Sequence, residues 1–300
     1  MTLETLVNIC LQGLTMGMLF FLIASGLSLI FGLMDVLNFA HGSFFMIGAY
    51  VAWATFDGTA AIVPFSDLRF AVGLVAGALA GGGVGALTEW GLIRPLYKRP
   101  IFQILMTLGL AYVFTEVIKV LWGASGHSMA RPESLSRAVD FLGRPFPAYR
   151  LFIIALGLAI LLVVYVLLQR SRLGMIIRAG VENGEMVQAL GINVRRVFTL
   201  VFTLGAALAA LGGAAAAPFV GVYPEIGLEY QLSAFVVVVI GGMGSFAGSA
   251  AASILVGLAR AFADYQLSPL VAQAIIVTVM AVVLLLKPEG IFGAKKGGGL

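Results

Sequence analysis

The segment Gly32-Leu-Met-Asp-Val-Leu-Asn-Phe-Ala-His-Gly42 sets polar side chains inside apolar sequence, and the spacing of Asp35, Asn38 and His41 by three would put them on one face of a helix. Glycine and asparagine at this point predict a broken helix, and the backbone N–H groups freed by a break can bind a polar solute. Ser43 follows directly. A second interruption, Gly241-Gly-Met-Gly-Ser-Phe-Ala-Gly248, lies late in the chain. Broken segments in the two halves of a membrane chain point to a substrate path, which makes Asn38, His41, Ser43, Gly242 and Ser245 its candidate lining. The alternative is a pair of ordinary tight turns between helices.

Other chemistry is not signalled. The sequence has no phosphate-binding glycine loop, no His/Cys/Asp/Glu cluster at metal-ligand spacing and no Gly-x-Ser-x-Gly elbow, and its two histidines, His41 and His127, are far apart. No catalytic residue, no metal site and no cofactor held by the chain itself is expected. Ionisable residues within apolar runs are few. Glu116 and Lys119, three apart, and Arg260 and Asp264, four apart, are spaced as structural ion pairs. Glu89 stands about one turn before a basic loop, within reach of Arg94. No unpaired acid sits at the middle of an apolar run, where a proton- or sodium-coupled carrier would place one.

A third feature is the stretch 170–196. Residues 182–190 predict a short helix with Met186 and Leu190 on one face, and Gly191 suits its end, where φ > 0 is needed. Such a helix either docks its apolar face on a partner or lies on the membrane surface with Arg178 and Arg195 near headgroups.

The elements that must position these residues follow from composition. Of 300 residues, 61% are hydrophobic and 11% charged, with a mean hydropathy of +1.06, against roughly half apolar and a quarter charged in a soluble domain. Lipid must be the solvent for much of the surface. A crossing helix needs about 20 apolar residues, and the apolar runs lie near 6–33, 36–56, 68–92, 101–122, 151–168, 197–217, 230–242, 246–264 and 268–287. The predicted fold is all-α: a polytopic transmembrane helical bundle of eight or nine spans with broken helices. It forms one domain over 1–293, followed by a flexible cytoplasmic tail over 294–300. Arg94, Lys98 and Arg99, the arginines of 170–196, and Lys287, Lys295 and Lys296 are placed in the cytoplasm by the positive-inside rule. The N-terminus is then outside and the C-terminus inside. The basic residues sit in short loops, so their modest net charge of +4 is not a nucleic-acid signal. No Lys or Arg precedes Arg69, so no signal peptide is expected. Cys10 is the single cysteine, which excludes an internal disulfide. Gly73, Gly77, Gly81 and Gly85 recur every fourth position on one helix face, the spacing of a tight helix–helix seam.

With these motifs in place the chain resembles the permease subunits of branched-chain amino acid ABC transporters, of the LivH type. The matching stretches are Gly26-Leu-Ser-Leu-Ile-Phe-Gly-Leu-Met34, Asn38-Phe-Ala-His-Gly-Ser-Phe-Phe-Met-Ile-Gly-Ala-Tyr50, Ala189-Leu-Gly-Ile-Asn193, Gly241-Gly-Met-Gly-Ser245 and Lys287-Pro-Glu-Gly-Ile-Phe-Gly293, in the family's order. The resemblance implies a permease in a bacterial cytoplasmic (inner) membrane. It would pair with a second homologous permease subunit and be powered by two cytoplasmic ATPase subunits that hold ATP and Mg. A binding protein outside would deliver the substrate. It also implies that Glu182, Met186, Leu190 and Gly191 lie in the ATPase-contacting segment, although Asn183 and Gly184 depart from the Glu-Ala-Ala pattern of importers in general. Relatives carry urea, short amides or aromatic acids as well as branched-chain amino acids. The rival readings are a stand-alone secondary transporter or channel, and a membrane scaffold without transport.

Overall fold

The computed structural model describes residues 3–141, 144–182, 184–267 and 269–293; the tail expected over 294–300 lies outside them. The helices are α1 (Leu3–Met34), α2 (His41–Gly58), α3 (Ser66–Thr88), α4 (Pro100–Trp122), α5 (Ala148–Arg170), α6 (Arg172–Glu182), α7 (Gly184–Ala189), α8 (Val194–Val220), α9 (Ile226–Gly241), α10 (Phe246–Gln266) and α11 (Pro269–Leu286). α3 runs on through a π turn (Glu89–Ile93) and a 3-10 turn (Arg94–Leu96). Each of the nine apolar runs thus holds one helix.

Six of these helices are long and apolar enough to cross a membrane: α1, α3 with its two terminal turns, α4, α5, α8 and α10. The structure therefore supports an all-helical membrane bundle but does not give eight or nine full-length spans. α9 and α11 are shorter apolar helices, and α2 has 18 residues. α2 is short because the run expected from residue 36 turns at Asp35, at φ 51, and becomes helical only at His41.

The short helix expected over 182–190 is α7, and a second helix, α6, precedes it. One further expectation is corrected. The all-α description also misses a small antiparallel hairpin, β1 (Ala138–Phe141) with β2 (Arg144–Pro147), in the register Val139↔Phe146 and Asp140↔Pro145. Pro145 and Pro147 fix φ and remove backbone donors, which bars a helix there. Upstream of the hairpin, His127 pairs with Val222 through two backbone hydrogen bonds of 2.7 and 2.9 Å, tying this loop to the end of α8.

α8 is the centre of the bundle and packs against α1, α2 and α3. α1 also packs on α10 and α9, and α2 packs on α9. α4 and α5 keep many of their apolar side chains on the outside, among them Leu105, Val117, Leu162 and Val163. Hydrocarbon is as apolar as leucine, so helices in lipid are drawn together by close van der Waals contact rather than by exclusion from water. The four glycines of α3 supply that contact. A Cβ added at Gly73 would lie 3.0 Å from the Ala52 carbonyl oxygen, and one at Gly77 would lie 2.7 Å from that of Gly48. At Gly81 and Gly85 an added Cβ would collide with the Cβ atoms of Ala210 and Ala206, whereas Gly83 faces open space.

This difference is testable by thermal unfolding in detergent, followed by tryptophan fluorescence. Gly81→Val should destabilise by about 1–3 kcal/mol through overpacking. Gly83→Ala should be neutral or should stabilise by up to about 1 kcal/mol, because it only raises helix propensity. Equal melting temperatures for the two variants would contradict the seam.

Candidate functional site

Residues 35–40 leave the end of α1 and turn back into the bundle. Asn38 Oδ1 accepts from the Ala40 N–H at 3.0 Å, closing a local turn. His41, the first residue of α2, is fully buried, and its Nε2 lies 3.0 Å from the Ile23 carbonyl. Ile23 precedes the end of α1 by eleven residues, about 16 Å along the axis. α2 therefore begins deep inside the bundle rather than at its end.

The first backbone donors of α2 are paired within the chain. The His41 N–H donates to the Asn38 carbonyl at 3.3 Å and the Ser43 N–H to the Ala40 carbonyl at 3.0 Å. The Gly42 N–H donates to Gln231 Oε1 of α9 at 2.6 Å, and Gln231 Nε2 lies 3.5 Å from the Asn38 carbonyl. In hydrocarbon every such group must find a protein partner, and Gln231 is the partner that sequence reasoning missed. Its signal was a lone amide in the apolar run 230–242, since polar side chains inside membrane helices mark functional positions.

Two polar atoms at the break have no partner: Asn38 Nδ2 and His41 Nδ1, both buried. The Ile23 carbonyl can only accept, so His41 Nε2 carries a proton, a tautomer inferred from this bond. A neutral ring then offers Nδ1 as an acceptor. The break thus presents one donor and one acceptor three residues apart. Ser43 is buried beside them.

The second interruption is built differently. Gly242 ends α9 at φ 100, a conformation that side chains with a Cβ rarely adopt. Ser245 caps α10 by accepting from the Gly248 N–H at 3.1 Å. The two interruptions meet where Gly244 packs on Gly32, an added Cβ on Gly32 lying 2.9 Å from Gly244 Cα. The turn is completed by the C-terminal motif. The Ile291 and Phe292 N–H groups donate to the Ile240 and Gly241 carbonyls at 2.8 and 3.1 Å, and Gly290 and Gly293 pack on Gly242. The Gly-Gly-Met-Gly-Ser and Lys-Pro-Glu-Gly-Ile-Phe-Gly motifs, far apart in sequence, form one structure.

At the base of the bundle, Ile177 of α6 and Val187 of α7 are buried and line a small apolar crevice with Leu33, Val194 and Val201. This anchors the two short helices and turns Met186 and Leu190 outward, at 61% and 75% exposure. Gly191, at φ 83, ends the turn, and its N–H donates to the Gln188 carbonyl at 2.9 Å. The backbone of Glu182 ends α6; its side chain lies outside the described set.

Beside these helices a polar network joins the π turn to α8. The fully buried Glu89 pairs with Arg94 at 3.3 Å and accepts from the Tyr97 hydroxyl, and Arg94 Nη2 donates to Thr199 Oγ1 at 2.5 Å. Burial first, and then the hydrogen bond to Glu89, raise the Tyr97 hydroxyl well above its ordinary pKa, so it stays a donor. Near other helix ends, Lys119 bridges Glu116 at 3.1 Å and Glu225 at 3.4 Å, and Arg260 faces Asp264 at 3.6 Å. Among the described residues no three His, Cys, Asp or Glu side chains come together as a metal set.

A polytopic helical membrane protein with a re-entrant break and anchored helices between its spans has the form of a permease. The chain belongs to the family described as branched-chain amino acid transport system / permease component, matched over residues 9–285. It is 28% identical over 291 residues to the high-affinity branched-chain amino acid transport system permease protein LivH of Escherichia coli strain K12, covering 94% of each chain. It is 28% identical to the corresponding protein BraD of Pseudomonas aeruginosa, covering 97% of this chain and 95% of that one. To the permease protein LivM of E. coli K12 it is 29% identical, covering 92% of this chain and 68% of that one. No solved structure matches the chain.

The Glu89 network predicts an order of variants. Arg94→Met strands a buried carboxylate and should cost about 3–5 kcal/mol. Glu89→Gln leaves an arginine whose side chain is 26% exposed, and should cost about 1–3 kcal/mol. Denaturant midpoints in detergent that fall in the reverse order would overturn this account.

Proposed function

We propose that the chain is a non-catalytic permease subunit of an ATP-driven importer in a bacterial cytoplasmic membrane, carrying branched-chain or closely related amino acids. The observation that carries the energy-coupling part is the geometry of α6 and α7. Their inner faces are anchored on α1 and α8 through Ile177 and Val187, while Met186 and Leu190 are held outward at the end of the bundle. An apolar pair on an anchored helix suits a groove on a cytoplasmic ATPase subunit, and Glu182 and Gly191 bound that contact. The relatives' names supply the substrate class. A second homologous permease is the partner supported by the match to both LivH and LivM of one organism. Two ATPase subunits, which bind ATP and Mg, and an external binding protein complete the assembly; this chain binds no cofactor. Nine crossings, with α2, α9 and α11 as the shorter ones, put the N-terminus outside and the C-terminus inside.

Uptake of radiolabelled leucine into vesicles tests this function. The complex purified with this chain should accumulate leucine only with ATP; accumulation by the chain alone, driven by an ion gradient, would reject the ATP-driven reading. Leu190→Asp should release the ATPase subunits, since burial of one such side chain is worth roughly 1.5–3 kcal/mol, and should leave the permease folded. An intact complex with substrate-stimulated hydrolysis would assign the loop another task.

For the path we propose Asn38, His41 and Ser43 of the first break, with Gly242 and Ser245 shaping the turn beside it. Asn38 Nδ2 and His41 Nδ1, a donor and an acceptor buried without partners, support this reading. Asn38→Ser keeps a turn-forming oxygen and loses the amide donor, so it should slow leucine uptake several-fold in an assembled complex. Unchanged uptake, with no labelling of a cysteine at 38 or 41 in a Cys10→Ala background, would show Asn38 to be a turn residue only.

A further inference from the structure

We infer that Gln231 is the positioning residue of the path: it ties the re-entrant segment to α9 and sets where Asn38 and His41 sit. The inference rests on the path reading above and names the element that governs it. Three residues spaced one turn apart on α9 meet the break in order. Gly227 lies against the backbone of Gly42 so closely that an added Cβ on Gly42 would collide with the Gly227 carbonyl. Gln231 follows, its Cβ 2.7 Å from the same added Cβ. Phe235 stacks on Phe39, with ring centroids 5.9 Å apart. Positions i, i+4 and i+8 share a helix face, so α9 runs alongside the segment from Gly42 back to Asn38.

Of these three only Gln231 bonds to the break through its side chain, and it does so at both ends of the amide. Its Oε1 accepts from the first free donor of α2, the Gly42 N–H, at 2.6 Å, and its Nε2 faces the Asn38 carbonyl at 3.5 Å. The shorter bond is the stronger one. Gln231 is buried among the helices of the bundle. The far end of α9 is gripped through the Ile240 and Gly241 carbonyls. A shift of α9 is therefore passed to the break through this amide.

The test uses the complex purified with this chain, reconstituted in vesicles, with radiolabelled leucine. Gln231→Met is near-isosteric and removes both bonds; Gln231→Glu keeps an acceptor for the Gly42 N–H. Gln231→Met should raise the KM for uptake about tenfold, the effect of losing buried hydrogen bonds, and should speed thiol labelling of a cysteine at position 38 in the Cys10→Ala background. Gln231→Glu should return KM to within about threefold of the parent. An unchanged KM, a fall in Vmax at constant KM, or a glutamate as impaired as the methionine would overturn the inference. If Gln231→Met does not assemble, Gln231→Asn carries the test, because its shorter amide cannot span both partners. It should show the same rise in KM, and an unchanged value would overturn the inference. Labelling at position 38 that is present but indifferent to residue 231 removes this inference alone. No labelling in either background removes the path reading with it.

Discussion

The bundle depends on how closely α8 lets its neighbours approach. Its middle, Gly205-Ala-Ala-Leu-Ala-Ala-Leu-Gly-Gly-Ala-Ala-Ala-Ala217, offers almost no side-chain bulk on the faces that meet α1, α2 and α3. Gly205 lies backbone to backbone with Gly26, Gly48 with Ala210, and Gly213 with Phe45. In lipid this is the contact that holds helices together, because burying leucine against leucine gains little over burying it in hydrocarbon. Close backbones also set what the polar side chains can reach. His41 touches the Ile23 carbonyl, and Tyr149 donates to the Ala215 carbonyl at 2.7 Å, only because the helices that carry them are so near.

A second constraint is that no backbone group can be left open in hydrocarbon. The two interruptions meet it in different ways. The first uses a side chain, Gln231, for the Gly42 N–H and local turns for the N–H groups of Ala40, His41 and Ser43. The second uses main chain, with the residues after α11 supplying donors to the last carbonyls of α9. The first therefore leaves two side-chain atoms unpaired at a buried site, whereas the second is closed by a glycine-rich turn whose packing admits no Cβ at Gly242 or Gly290.

The membrane class, the nine helical runs and both interruptions were legible because apolar runs and glycine clusters are local signals. The α3 glycines were legible for the same reason: a four-residue period on one helix fixes a face without knowledge of what meets it. What sequence alone could not supply was non-local. Asn38 and His41 were recognisable as unusual residues, but the partner of the backbone around them, Gln231, lies 193 residues from Asn38, and the partner of the His41 ring is the Ile23 carbonyl of another helix. That Gly242 ends α9 and Ser245 caps α10 under residues 287–293 was not legible, since a lone turn motif does not reveal what folds onto it. Of the two short helices only α7 was expected, over 182–190, and the residues around it do not show which apolar side chains turn inward. Ile177 and Val187 do, which leaves Met186 and Leu190 outside. The hairpin over 138–147 was missed because two prolines mark only what cannot be helical.

The junction of α9 with residues 287–293 has a consequence for how the protein is made. The Ile240 and Gly241 carbonyls take their partners from Ile291 and Phe292, which leave the ribosome about 50 residues later, after α10 and α11. Until then α9 is an unfinished helix whose last carbonyls need water, so its C-terminal end is best kept at the aqueous surface while the two later helices insert. Folding of the bundle thus has a built-in order: Ile291 and Phe292 seal a helix made before them.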